Sequence, residues 1–101
     1  MKVTNLKLVD SDELSREVEA QFGLEEGDVN MFELFGEMCE NGSYQALYID
    51  EEALHEAKDN LEYAEQYRPD DADYYRIKLL VLTYLHDIFP ENDKVLWHCY
   101  W

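Results

Sequence analysis

Residues 94–101 constrain the fold more than any other part of the chain, because almost every position there is apolar or aromatic. Successive side chains of a strand point to opposite faces, so both faces of this segment carry large apolar groups. A half-exposed strand would have one polar face. We therefore predict an interior strand of a sheet, or an edge strand covered by a second copy in a homodimer, since an exposed apolar edge pairs with other chains.

Two other segments, residues 2–9 and 44–49, also have the composition of strands. A pair of helices is predicted between the first and second strands, and another pair between the second and third. Asp10 followed by Glu13 is typical of a helix start. We expect Leu14, Val18 and Phe22 to form the buried stripe of this first helix, which should end at Gly23. Asp28 is expected to cap a second helix over residues 31–39.

The second helix pair is predicted between Asp50, a candidate cap, and Pro90. An inner face of four residues spaced three and four apart defines the third helix: Leu54, Ala57, Leu61 and Ala64. Pro69 should end it near Tyr67, and a fourth helix, apolar nearly all round, should follow as the central one. The sequence thus predicts a single acidic α+β domain over residues 1–101, with a small three-stranded sheet (N-terminal, central and C-terminal strands) packed with about four helices.

The acidic charge is confined to one region. The chain has 24 Asp and Glu against 8 Lys and Arg, a net charge of -16, yet 47% of it is hydrophobic. Residues 10–73 hold 21 of the acids and three basic residues, a net -18. Nucleic acid and anionic membranes would be repelled, so we expect neither as a partner and expect a basic protein instead.

The third helix and the turn after it carry the candidate partner-binding residues: Glu51, Glu52, Glu56, Asp59, Glu62, Glu65, Asp70, Asp71 and Asp73. Like charges three or four residues apart each cost a few tenths of a kcal/mol. A helix that needs only a hydrated surface avoids this cost with interspersed Lys, but Lys58 before Glu62 is the sole four-residue pair of opposite sign inside this helix. One alternative is a solvated face without a binding role. Another is adaptation to high salt, but salt-adapted surfaces are expected to favour Asp, and here Glu exceeds Asp by 14 to 10.

The sequence contains no motif typical of catalysis or of metal or cofactor binding. His55 and Glu56 begin like a zinc-protease helix, but Asp59 stands where a second His is needed. There is no phosphate-binding glycine loop and no nucleophile motif, so we expect no enzyme activity, metal or cofactor. Without a secretory or membrane-spanning segment, the expected location is the cytoplasm (the host cytoplasm if a phage encodes the chain), with Cys39 and Cys99 as reduced thiols.

In size, charge and lack of catalytic motifs the chain resembles the small acidic proteins that phages use as DNA mimics against restriction or CRISPR systems. That resemblance implies an inhibitor that occupies the basic groove of a nucleic-acid-binding protein or nuclease. Acidic immunity proteins and antitoxins that neutralise a cognate nuclease toxin share the same character. A third hypothesis is an adaptor or assembly subunit that binds through the aromatic C-terminal strand, residues 95–101.

Overall fold

The computed structural model describes residues 7–35 and 44–98, which form an α+β fold of three strands and four helices. The elements in chain order are β1 (Lys7–Val9), α1 (Ser11–Phe22), α2 (Met31–Phe35), β2 (Tyr44–Tyr48), α3 (Glu51–Tyr67), α4 (Ala72–Ile88) and β3 (Lys94–His98). The predicted order and fold class are confirmed. The predictions for residues 2–6, 36–39 and 99–101, and for Cys39 and Cys99, lie outside the described residues.

The C-terminal strand β3 is the middle strand of the sheet, whose order is β1-β3-β2. It runs parallel to β1, with Val9 opposite Trp97, and antiparallel to β2, with Leu47 opposite Val95. Val95 and Trp97 are fully buried. The prediction of an interior strand is therefore confirmed.

The two faces of the sheet differ in their cover. Val95, Trp97 and Leu47 belong to the main hydrophobic core, against which Val9 is also packed. On the opposite face Leu8, Leu96 and Ala46 lie side by side across the three strands. Leu8 is 63% exposed, whereas Leu96 and Ala46 are half-buried. The helices therefore bury one face of the sheet more completely than the other.

Helix α1 begins and ends as its sequence predicts. The Asp10 carboxylate accepts the N–H of Glu13 at 2.9 Å, and Gly23 ends the helix in the left-handed region at φ 67°. Leu14 and Val18 are buried, but the prediction for Phe22 is wrong, since it is 36% exposed. Phe22 is the last residue of the helix, whereas Leu24 beyond it packs against the core.

Helix α2 starts from a different cap than predicted. Asn30 Oδ1 accepts the N–H of Glu33 at 3.2 Å, whereas the carboxylate of Asp28 accepts the N–H of Glu25. Asp28 therefore closes the preceding turn and Asn30 caps the helix, which corrects the sequence interpretation. The helix buries Met31, Leu34 and Phe35.

Helices α3 and α4 form an antiparallel hairpin joined by a 3₁₀ turn, Pro69–Asp71. Ala57 and Ala64 are buried, and such small residues let the two helix backbones approach closely. On α4, Val81, Leu82 and Leu85 are buried but Ile88 is 44% exposed, so α4 is less completely buried than its composition predicts. The Nδ1 atom of His86 lies 2.8 Å from the carbonyl oxygen of Ile49, which ties α4 to the end of β2. Among the described residues, no helix has the length and apolar character needed to span a membrane.

Candidate functional site

The predicted partner-binding carboxylates all belong to α3 and to the turn between α3 and α4. Asp50 caps α3 by accepting the N–H of Ala53 at 3.0 Å, and the apolar face packs on α4. Each of the nine residues is exposed: Glu51, Glu52, Glu56, Asp59, Glu62, Glu65, Asp70, Asp71 and Asp73. The structure thus places the whole predicted set on the surface of one helical hairpin.

Most of the exposed residues of α3 form two rows, because positions three or four apart lie on the same side of a helix. One row, which we call the acidic-aromatic row, consists of Glu52, Glu56, Asp59, Tyr63 and Tyr67. The other row, which we call the mixed row, consists of Glu51, His55, Lys58, Glu62 and Glu65. Only the mixed row contains a lysine.

Few of the nine carboxylates have a cationic partner. Arg76 pairs with Asp73 and lies 4.0 Å from Glu65, and His55 Nε2 lies 3.5 Å from Asp59 Oδ2. Within residues 7–35 and 44–98, no ion pair involves the other six: Glu51, Glu52, Glu56, Glu62, Asp70 and Asp71. Lys58, four residues before Glu62, does not pair with it. The hairpin surface therefore keeps most of its negative charge uncompensated.

The acids of the turn have a separate structural role. Asp70 and Asp71 lie in the 3₁₀ turn and Asp73 in the first turn of α4. Negative charge at a helix N-terminus is stabilised by the helix dipole. Asp71 occupies the cap position, yet its side chain makes no capping hydrogen bond. These three positions stabilise α4 by their charge and extend the acidic surface beyond the end of α3.

An exposed tyrosine pair lies on α3, off its apolar stripe as the sequence indicates, although the contact between the two rings was not predicted. Tyr63 and Tyr67 are 58% and 62% exposed, and their ring centroids are 4.9 Å apart with the planes tilted by 44°. Both belong to the acidic-aromatic row, so the signal was present in the spacing of residues 52, 56, 59, 63 and 67. Aromatic faces attract Arg and Lys side chains, especially next to carboxylates.

A cleft of about 240 Å³ lies between β2, α3 and α4. Its polar lining residues are Glu56 and Asn60 of α3 and Tyr75 and Lys78 of α4. The rest of the lining is apolar or from β2: Phe35, Ala46, Leu47, Tyr48, Ala53, Ala57 and Leu82. Because Glu56 lines the cleft, the acidic-aromatic row borders it.

The α4 side of the cleft is fixed by aromatic contacts. The Lys78 ammonium lies 5.2 Å from the centre of the Phe35 ring and 5.5 Å from that of Tyr74. Tyr74 donates a hydrogen bond to the carbonyl oxygen of Leu34 at 3.0 Å. The lysine thus lies near the rings of Phe35 and Tyr74, and Glu56 of α3 lines the same cleft.

The described residues contain no group of three His, Cys, Asp or Glu side chains placed to hold a metal ion. Trp97, part of the strand that the adaptor hypothesis uses, is fully buried and offers no contact surface. Tyr100 and Trp101 lie outside the described residues.

Comparisons of this chain with protein-family models, with curated proteins and with solved structures gave no match.

Proposed function

We propose that this domain is a non-enzymatic inhibitor that imitates nucleic acid and occupies the basic groove of a nucleic-acid-binding protein, such as a restriction, CRISPR or other nuclease. The observation that carries the proposal is the uncompensated charge of the α3–α4 hairpin. All nine carboxylates are exposed, and six of them have no ion-pair partner among the described residues.

The charge density of α3 supports this proposal. Glu51 to Glu65 spans about 21 Å of helix axis at 1.5 Å per residue. Six acids lie in that stretch, which is about one per 4 Å and close to the one phosphate per 3.4 Å of a single DNA strand. A groove built to neutralise phosphates would meet a similar spacing of charge along α3.

An acidic surface of this kind speeds association with a basic partner through electrostatic steering. Opposite charges on two proteins raise association rates to about 10⁸ M⁻¹s⁻¹ or more at low salt. Mutual repulsion of the carboxylates costs little stability and is relieved when a basic partner binds. An inhibitor with this surface reaches its target quickly enough to compete with nucleic acid.

The test is capture followed by competition. The full chain, immobilised through a tag, is exposed to lysate of the source cell or its host, and captured proteins are assayed for DNA or RNA binding with and without it. We expect basic partners whose nucleic-acid binding falls in proportion to added protein. Partners that are not basic, or that hold this protein and nucleic acid at the same time, would refute the proposal.

An immunity protein or antitoxin would use the same acidic surface against one nuclease toxin. The experiment separates it from the general mimic by selectivity: a cognate inhibitor captures a single nuclease, even when other basic proteins are in excess.

A further inference from the structure

We propose that the cleft between β2, α3 and α4 is the anchor point of the acidic surface, and that it accepts one aliphatic side chain of an arginine-rich segment of the partner. This proposal rests on the proposed function and identifies which part of the acidic surface makes the specific contact. It places the neighbouring arginines of that segment along the acidic-aromatic row.

The shape and lining of the cleft indicate an aliphatic guest. Its volume of about 240 Å³ is large for one side chain and too small for a folded element. Ala53, Ala57 and Leu82 line it, and Ala57 and Leu82 are themselves buried parts of the core. A pocket with an apolar floor bordered by charged residues is the setting in which interface anchors bind.

The charge on the α3 side of the cleft favours basic residues next to the aliphatic side chain in the partner's segment. Glu56 is on the cleft wall and Glu52 lies one turn earlier on the same side of α3, and neither has a cationic partner among the described residues. A guanidinium on the α3 side of the anchor would therefore meet carboxylates, whereas the α4 side carries the ammonium of Lys78. A second copy of this chain is a poor occupant, because it would bring another net charge of -16 to the same place.

The tyrosine pair indicates arginine rather than lysine as the flanking cation. Tyr67 lies seven residues, or two turns, beyond the cleft residue Asn60 on the same flank of α3, with Tyr63 between them. Both rings are more than half exposed. A planar guanidinium stacks on such rings while its remaining N–H groups bind a carboxylate, which a lysine ammonium cannot do in the same geometry.

The probe for this proposal is a labelled peptide of six arginines with a central leucine, compared with the same peptide carrying a central serine. Binding to the full chain is followed by fluorescence anisotropy, and the site is located by amide chemical-shift changes. We expect the leucine peptide to bind about tenfold more tightly, since burial of an aliphatic side chain contributes that much or more. Shift changes should centre on residues 46–48, 53–60 and 75–82.

Variants separate the cleft from general acidity. Ala53→Phe and the exposed Asn60→Trp each fill the cleft, and both should abolish the advantage of leucine while leaving the serine peptide unaffected. Tyr67→Leu and Glu56→Gln should weaken both peptides more than Glu62→Gln, a control with the same charge change in the mixed row. Thermal melts identify any variant that fails to fold, and the two cleft-filling positions provide independent checks.

Equal affinity for the two peptides, or a leucine advantage that survives in both cleft-filled variants, would overturn the proposal. In that case the acidic surface can still act as a nucleic-acid mimic. Failure of the proposed function itself appears in the competition assay with captured targets, so the two outcomes are distinguishable.

Discussion

The Oε2 atom of Glu19 accepts the backbone N–H of Val29 at 3.0 Å, so a buried carboxylate of α1 holds the loop that leads into α2. The same oxygen accepts the N–H of Gly27 at 3.0 Å. Glu19 is only 7% exposed. Hydrogen bonds to an ionised acceptor are stronger than neutral ones, which offsets part of the cost of burying this charge. One acid of this acidic chain is therefore structural.

We predict that Glu19→Ala lowers the free energy of unfolding by about 1–3 kcal/mol, because the buried N–H of Val29 loses its acceptor. Urea denaturation monitored by circular dichroism measures the change. The matched control is Glu26→Ala, which removes the same charge from an exposed side chain in the same loop. The control should shift stability by less than about 0.5 kcal/mol. Equal effects of the two substitutions would show that Glu19 acts only through its charge.

Trp97 provides the second stability prediction. It is fully buried in the middle strand, so Trp97→Ala should cost about 3–5 kcal/mol out of a total of about 5–15 kcal/mol. Leu8→Ala, in the neighbouring strand at 63% exposure, should cost far less. Deletion of residues 97–101 should unfold the domain. If the truncated chain stays folded and changes only its oligomeric state by light scattering, the strand contributes to an interface instead.

Local sequence signals predicted much of the fold. Asp10, Asp50 and Gly23 sit at helix ends where short-range hydrogen bonds or backbone conformation decide the structure. The position of β3 followed from its two apolar faces, because a strand of that kind is stable only between neighbours. In each of these cases the deciding interaction lies within a few residues or in a pattern along one element.

The sequence did not indicate the environment of three residues or groups of residues, one through a contact ten residues away and two through local structure. Nothing in the sequence around Glu19 shows that a loop ten residues later folds back onto its carboxylate. Asp28 and Asn30 are both good caps, and the choice between them depends on the turn that Asp28 closes with Glu25. Phe22 fits the stripe of α1 but lies at its exposed end.

The candidate site, like the fold, was predictable from the sequence only in part. The local excess of charge located the nine acids, and the exposure of the six on α3 follows from the apolar stripe of that helix. The cleft was not predictable, because it depends on how β2, α3 and α4 are placed relative to one another. The spacing of Tyr63 and Tyr67, four residues apart on α3, does indicate that the two side chains lie on one side of the helix, next to Glu52, Glu56 and Asp59.

Tyr84 makes stability depend on alkaline pH. Burial raises the pKa of Tyr84 above its ordinary value, and the hydrogen bond to Glu17, at 3.0 Å, and the negative charge of that carboxylate raise the pKa further. The protonated hydroxyl is thus favoured in the folded state. The contribution of this hydroxyl to the stability of the fold is fully present below the pKa that Tyr84 has in the unfolded chain. It is lost as the pH rises through the higher pKa that Tyr84 has in the folded protein.

We therefore expect the stability difference between the wild type and Tyr84→Phe to be constant from pH 7 to 9 and to shrink above about pH 10, the ordinary pKa of tyrosine. Urea denaturation at each pH measures it. The control is Tyr63→Phe, whose hydroxyl has no carboxylate partner among the described residues, measured at the same pH values. A wild-type advantage that persists unchanged at pH 11 would contradict this assignment.

The last prediction separates binding from folding on α3. Replacement of Glu52, Glu56, Asp59 and Glu62 by Gln removes like-charge neighbours that each cost a few tenths of a kcal/mol. The melting temperature should hold or rise by a few degrees, since 1 kcal/mol corresponds to about 4–8 °C in a domain of this size. Affinity for the basic partner should fall at the same time.

Salt provides the internal control for this variant. Repulsion between exposed carboxylates is screened at high ionic strength, where the Debye length falls from about 30 Å at 0.01 M to about 3 Å at 1 M. The wild type should therefore gain more in melting temperature than the variant when salt is raised over that range. A variant that melts several degrees lower, with unchanged salt dependence and unchanged partner affinity, would mean that these carboxylates support the fold and that the binding surface lies elsewhere.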